Sequence, residues 1–98
     1  MKLSIIIPCF NEVSTIEKLL DKINAVVDFN KEIIIIDDYS KDGSRELLQT
    51  KLKHKFHKLI LNEKNYGKGY CIIQAKKVIN GDIVIIQDAD LEYNPDDY

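Results

Sequence analysis

The sequence predicts an α/β fold in which four short strands alternate with three helices along 98 residues. Three observations predict it. Isoleucine- and valine-rich runs recur at Ile5–Ile7, Ile33–Ile36 and Ile83–Ile86, too short for helices and bounded by turn residues. Between these runs, apolar residues return at helical intervals. Each strand is also followed by a cluster of polar, charged or glycine residues, so the chemistry collects at one end of every strand.

Taken in order, Leu3 to Pro8 is a β-branched run closed by proline, the first strand. Ser14-Thr15-Ile16-Glu17 has capping-box spacing, and Ile16, Leu19, Leu20, Ile23 and Val26/Val27 follow as a helical stripe. Glu32 to Asp37 is the second strand, apolar through its middle and therefore covered on both faces. Asp42-Gly43-Ser44 opens a helix carrying Leu47, Leu48 and Leu52. Lys58 to Leu61 is a short third strand. Gly67-Lys68-Gly69 leads into a helix with Ile72, Ile73, Ala75 and Val78/Ile79, closed by Asn80-Gly81. Asp82 to Gln87 is the fourth strand. The order β-α-β-α-β-α-β, without linker or repeat, implies a parallel, Rossmann-like sheet with right-handed crossovers. The expected strand order is 3-2-1-4, which puts the topological switch between the first and fourth strands, where such sheets bind ligands.

Composition sets the broad class. A chain that is 45% apolar and 31% charged reads as one soluble globular domain, and a net charge of −2 gives no drive toward nucleic acid. Cys9 and Cys71 are too few for a disulfide framework and lack metal-ligand spacing, so reduced thiols in or near the core, and a cytoplasmic setting, are expected. No apolar run approaches the ~20 residues of a membrane span. Lys51 to Lys58 gathers four lysines and both histidines; a solvated connector is the default for such a run, an acidic membrane surface the alternative.

The fourth strand runs into Asp88-Ala89-Asp90. Residues two apart in extended backbone share a side, so both aspartates face one ion, and a hard divalent cation held with phosphate oxygens fits such a pair. At Asp37-Asp38 the neighbours point oppositely, so one faces a ligand and the other caps a turn. Glu12 is either a helix-start charge or a ligand contact. Gly67-Lys68-Gly69 is either a flexible helix entry or a phosphate approach with Lys68 neutralising charge. A dinucleotide-binding fold wants a glycine fingerprint after the first strand, and Pro8-Cys9-Phe10-Asn11-Glu12 has none. A phosphoacceptor receiver domain would begin at the second strand and leave Ser4 to Leu20 unexplained.

The segments IIIPCFNE, EIIIIDDYSKDGS, NYGKGYCIIQAKK and GDIVIIQDADLEYNPDD, in this order, resemble the N-terminal half of family 2 glycosyltransferases of the GT-A fold, and within them the polyprenyl-phosphate group similar to dolichyl-phosphate mannosyltransferase. The resemblance covers nearly the whole chain. It implies an inverting, metal-dependent transferase region taking a UDP- or GDP-sugar, with a polyprenyl phosphate among the possible acceptors; a non-catalytic nucleotide-binding or assembly module is the alternative. Pro8, Phe10, Glu12, Asp38, Lys68 and Asp88 would contact the substrate, and Asp88 and Asp90, joined by Glu92 at the same strand phase, would hold Mg²⁺ or Mn²⁺. The family's general base and acceptor-binding loops are expected beyond Tyr98, and a lipid acceptor would place a full-length protein at the cytoplasmic face of a membrane. Tyr39 and Tyr70 stand where the family usually has small residues, each placed to narrow the pocket. An open outer edge on the fourth strand is expected to join two copies.

Overall fold

The computed structural model describes residues 1–26 and 30–89. Its elements are β1 (Lys2–Cys9), α1 (Ile16–Ala25), β2 (Asn30–Asp37), α2 (Ser44–Gln49), a 3₁₀ turn (Lys53–Lys55), β3 (Lys58–Leu61), α3 (Lys68–Lys76) and β4 (Ile83–Ile86). The four strands form one sheet in the order β3-β2-β1-β4, all pairings parallel, as expected from the alternation of elements.

The isoleucine runs explain the layering. Successive residues of a strand point to opposite faces, so an uninterrupted apolar run needs cover on both. Ile5, Ile7, Ile33 and Ile35 face one layer, packed with Ile16, Leu19, Leu20 and Ile23 of α1 and Leu48 of α2. Ile6, Ile34 and Ile36 face the other, where Cys71 and Ala75 of α3 cover them. Both layers are closed to solvent at their centres. The two cysteines therefore sit on opposite faces of the sheet, both buried and both free.

Three details differ from the sequence expectation. Ser14 does not cap α1: Thr15 takes the cap position without a side-chain cap bond, its hydroxyl turned instead to donate to the Ala89 carbonyl at 2.7 Å, with Glu12 Oε2 as the alternative acceptor at 3.0 Å. Leu52 lies beyond α2; its amide donates to the Leu47 carbonyl and the chain turns into the 3₁₀ segment, which leaves Leu52 buried all the same. Gly81 ends no helix by left-handed backbone. It is small because a Cβ there would stand 2.3 Å from Ser4 Oγ and 2.7 Å from the Ser4 nitrogen.

That close approach belongs to a polar clamp at the end of the sheet remote from the switch-point loops. Ser4 Oγ donates to buried Glu32 Oε2 at 2.7 Å, the Gly81 amide donates to Ser4 Oγ at 2.8 Å, and the Asn80 amide donates to Glu32 at 2.5 Å. Lys58 pairs with Glu32 Oε1 at 3.3 Å and also donates to the Val78 carbonyl. Burial alone raises the carboxyl pKa of Glu32, but the Ser4, Asn80 and Lys58 contacts overcome it and bring it down to about 2.

The basic segment is a connector. Lys51 pairs with Glu17 at 3.3 Å, Lys55 with Glu17 and Asp21, and His57 Nδ1 accepts the Ile33 amide at 2.8 Å, all of which fasten it to α1 and β2.

Because the carboxyl pKa of Glu32 is depressed in the fold, its stabilisation is present above the ordinary glutamate pKa and is lost as pH falls toward about 2. Glu32→Gln is expected to cost on the order of 2–3 kcal/mol at pH 7 and roughly half as much at pH 3. Urea midpoints of both proteins at the two pH values check this; an equal gap at both would remove the ionised carboxylate from the account.

Candidate functional site

The loops that leave the carboxyl ends of β1 and β2 lie side by side, since the two strands run in register from Lys2↔Asn30 to Cys9↔Asp37. Their backbone is bound together by side chains of the second loop. The Asn11 amide donates to Ser40 Oγ at 2.9 Å, Glu12 to Ser44 Oγ at 3.0 Å and Val13 to Asp42 Oδ2 at 3.0 Å; in return the Lys41 amide donates to Asn11 Oδ1 at 2.8 Å. The amides of residues 11 to 13 are thus consumed inside the protein, which takes from the first loop the role of a phosphate-cradling nest. Asn11 and Tyr39 pay for the tight turns with left-handed backbone, at φ 54° and 70°. The Tyr39 ring lies over the cations of Lys41 and Arg45.

Asp37 and Asp38 separate as strand alternation requires. Asp37, fully buried, accepts the Ser40 amide at 3.0 Å and Arg45 Nη1 at 3.1 Å, while Arg45 donates also to the Asn62 carbonyl at 2.6 Å. Asp38 turns toward β3 and α3. Its Oδ1 accepts from Asn62 Nδ2 at 2.9 Å and the Tyr66 amide at 3.0 Å, and its Oδ2 accepts the Gly67 amide at 2.8 Å. Burial raises its carboxyl pKa, yet these donors hold it below the usual aspartate range. They also fix Gly67 at φ 96°, a conformation open to glycine, and so set the start of α3.

A cavity of about 170 Å³ opens between these loops and the end of β4, lined by Pro8, Cys9, Phe10, Glu12, Asp38, Lys68, Cys71, Asp88 and Ala89. All six residues expected to contact a substrate meet there, drawn from four separate segments. Lys68 Nζ crosses it to Asp88 Oδ1 at 2.5 Å. Asp90 and Glu92 lie outside the described residues. Among the described residues no three His, Cys, Asp or Glu side chains cluster as a metal site. The chemistry of the donors nevertheless suits a hard cation, since Asp88 offers a carboxylate against which an ammonium group already rests.

The sequence reading missed three lining residues. Cys9 and Cys71 were expected only as core thiols, and they are walls of the cavity as well. Burial first, and then the charges of Asp37, Glu12 and Asp42, push the Cys9 thiol up to about 12; burial and Asp38 do the same for Cys71. Both present neutral S–H surface. Ala89, the third, is placed by Thr15, whose hydroxyl holds its carbonyl. Tyr39 and Tyr70 do not narrow the cavity: Tyr39 is turned onto Lys41 and Arg45, and Tyr70 stacks on Tyr66 at 4.4 Å.

An open parallel α/β sheet with a charged cavity at its β1–β4 switch belongs to the doubly wound class, whose members bind ligands at that switch. The chain belongs to the glycosyl transferase family 2, whose model matches residues 4–98. It is 38% identical over 98 residues to a dolichol-phosphate mannosyltransferase of Pyrococcus furiosus, an alignment that covers 98% of this chain and 28% of the relative. Among solved structures it is similar to the mannosyltransferase PcManGT of Pyrobaculum calidifontis in complex with GDP-Man and Mn²⁺ (TM-score 0.79, 28% identity, 90% of this chain and 27% of that one). It is similar also to S. aureus TarS in complex with UDP-GlcNAc (TM-score 0.78, 30% identity, 92% and 27%). The chain spans about three tenths of the length of the curated relatives it matches.

Removing the Asp38 carboxylate strands three donors at once. Asp38→Ala is therefore expected to lose about 2–3 kcal/mol of stability, read as a lower urea midpoint. Glu46→Ala on the exposed face of α2 is the control, expected to change within about 0.5 kcal/mol.

Proposed function

We propose that residues 1–98 form the nucleotide-sugar-binding part of a glycosyltransferase domain, taking a UDP- or GDP-sugar together with Mg²⁺ or Mn²⁺. One observation carries the reading: Pro8, Phe10, Glu12, Asp38, Lys68 and Asp88, from four strand ends of a family 2 chain, converge on one cavity. The described walls enclose less than the roughly 300 Å³ at the small end of ordinary ligand pockets, enough for part of a nucleotide.

On this reading Phe10, exposed at the cavity mouth, offers apolar surface to the base and ribose, and Asp38 sets the wall against which they rest. Lys68 brings its ammonium charge to the diphosphate. Asp88, with Asp90 and Glu92 as further donors, would hold a divalent cation, which when bound supplies positive charge to the departing diphosphate. An acceptor oxygen, from a polyprenyl phosphate or from a hydroxyl that gives up its proton to a general base, bonds to the anomeric carbon as the bond from that carbon to the diphosphate oxygen breaks. Configuration inverts, and the electron pair leaves with the nucleoside diphosphate. The lipid-phosphate acceptor rests on the dolichol-phosphate relative. No helix among the described residues is long and apolar enough to cross a membrane, so contact with such an acceptor would be made at the bilayer surface or through sequence outside them.

The second reading is a binding or assembly module without turnover. Release of sugar from a sugar nucleotide by the 98-residue chain separates the two; binding with no release favours the module.

Calorimetric titration of UDP and GDP, with and without Mn²⁺, tests the metal assignment. Mn²⁺ is expected to tighten binding of one nucleotide by tenfold or more, about 1.4 kcal/mol, and Asp88→Asn to erase most of that gain. Equal affinity with and without the ion would sink the metal role. In the same assay Asp38→Asn is expected to weaken binding more than Asp37→Asn; the reverse order would exclude Asp38 as the ligand-facing aspartate.

The open edge of β4 supports a proposal about assembly. Among the described residues β4 pairs with β1 alone, and Ile83, Val84 and Ile86 are exposed along it. An apolar edge strand is a template for another strand, so two copies are expected to join there. Light scattering at micromolar concentration should give twice the 11.3 kDa of one chain; a mass of one chain overturns the pairing.

A further inference from the structure

The hydrogen-bond ladder between β1 and β4 stops just before Asp88. The Gln87 amide donates to the Ile6 carbonyl at 2.9 Å. In a parallel ladder the next rung would run from the N–H of residue 8 to residue 87, and Pro8 has no N–H. Asp88 and Ala89 therefore leave the sheet here, although Asp88 lines the cavity and is proposed to hold the metal. Ala89 ties this stretch down in two ways. Its side chain is buried in the core layer covered by α1 and α2. Its carbonyl accepts Thr15 Oγ1 at 2.7 Å.

Thr15 stands at the start of α1, where a threonine side chain ordinarily accepts an amide of the first turn. It makes no such bond. The helix starts through its backbone instead, the Ile16 amide donating to the Glu12 carbonyl at 2.9 Å. The hydroxyl is turned to a peptide 74 residues further along the chain. Glu12 Oε2 is the other acceptor in reach, at 3.0 Å, and Glu12 lines the cavity as well. One hydroxyl proton thus stands between a carboxylate of the first loop and the backbone of Asp88-Ala89-Asp90.

We infer that Thr15 is a positioning residue for the cation site, its hydroxyl fixing the backbone between the two carboxylates proposed for the divalent ion. The inference rests on the reading given under Proposed function. A peptide unit is planar, so an oxygen held at one point restricts rotation of the chain on both sides of it. A carboxylate on restricted backbone loses less freedom when an ion binds, which leaves more of the contact energy as affinity. Past Pro8 the ladder no longer supplies that restriction, and Thr15 does. The nucleoside wall assigned to Phe10 and Asp38 is set by the pairing of β1 with β2, in which Thr15 has no part.

The test compares Thr15→Val, which keeps the branched shape without the hydroxyl, with Thr15→Ser, which keeps the hydroxyl. Thr15→Ala replaces the valine variant if circular dichroism finds the latter unfolded. Calorimetry measures affinity for the nucleotide that wild type binds with Mn²⁺ (UDP or GDP), once with MnCl₂ and once in EDTA. Thr15→Val is expected to cut the gain from Mn²⁺ about fivefold, the net worth of one hydrogen bond, and to leave affinity in EDTA within about twofold of wild type. Thr15→Ser is expected to restore most of the gain. A gain unchanged in Thr15→Val, or a loss as large in EDTA as with Mn²⁺, makes the hydroxyl merely structural and overturns the inference while the nucleotide site stands. A serine variant no better than valine assigns the loss to packing and overturns it too. Wild type that binds neither nucleotide, or binds one equally well with and without Mn²⁺, overturns the reading under Proposed function, and the inference with it.

Discussion

The in-register parallel pairing of β1 with β2 is the constraint on which the rest of the molecule depends. It runs over the full eight residues of each strand, so both chains leave the sheet at the same level. Only then do the amides of residues 11 to 13 come opposite Ser40, Asp42 and Ser44. A slip of one residue would turn every isoleucine to the other face and carry the polar loop partners out of reach. Since both faces are apolar, the face pattern alone tolerates such a slip poorly but does not forbid it; the cross-loop hydrogen bonds and the Ser4–Glu32 clamp, one set at each end of the strands, discriminate against it.

The two ends of the sheet are polar for different reasons. At the clamp end, buried Glu32 satisfies Ser4, Asn80 and Lys58, so its charge is spent on holding three strands and the turn into β4. At the loop end, Asp37 is spent in the same manner on Arg45 and the turn at Ser40. Asp38 accepts three donors on the β3–α3 side, and Lys68 pairs with Asp88 at the cavity. What changes from the clamp to the switch point is solvent access: Glu32 and Asp37 are buried, whereas the Lys68 and Asp88 side chains are 55% and 21% exposed. A charged group that keeps solvent on one side can trade its partner for a ligand at little desolvation cost, whereas Glu32 and Asp37 cannot.

How much of this is legible in the sequence follows from range. The strands are legible because β-branched runs such as Ile33–Ile36 state their own conformation, and the order of the sheet follows from the alternation of elements. The convergence of the loops at the switch point follows from that order. The false capping box is a failure of local reasoning: Ser14 to Glu17 has the right spacing, but Thr15 finds a better acceptor in Ala89, 74 residues away. Leu52 was assigned to a helix by periodicity, which counts apolar spacing and is blind to where the backbone stops. The cross-loop bonds were hidden because they need Asn11 and Tyr39 in left-handed backbone, and tyrosine gives no local signal of that. The likeness to family 2 glycosyltransferases pointed to Pro8, Phe10, Glu12, Asp38 and Asp88, and the Gly67-Lys68-Gly69 segment to Lys68, six of the nine lining residues, while the Lys68–Asp88 contact depends on side-chain reach that no motif encodes.

Tyr39 shows how the strain is met. Left-handed backbone at a residue with a Cβ costs about 1–2 kcal/mol. The turn is needed because Asp38 must leave β2 toward α3 while Ser40 returns to receive Asn11. Several bonds share that cost. The Ser40 amide is held by Asp37, and Arg45 braces Asp37 from α2 while lying under the Tyr39 ring. A smaller residue at position 39 would ease the backbone and forfeit the ring's contact with two cations. The tyrosine is thus tolerated because it sits on the outside of the turn, away from the cavity wall, and the wall itself is set by Asp38 one residue earlier. Geometry at the site is controlled by the residue that faces inward, and the outward neighbour is free to be large.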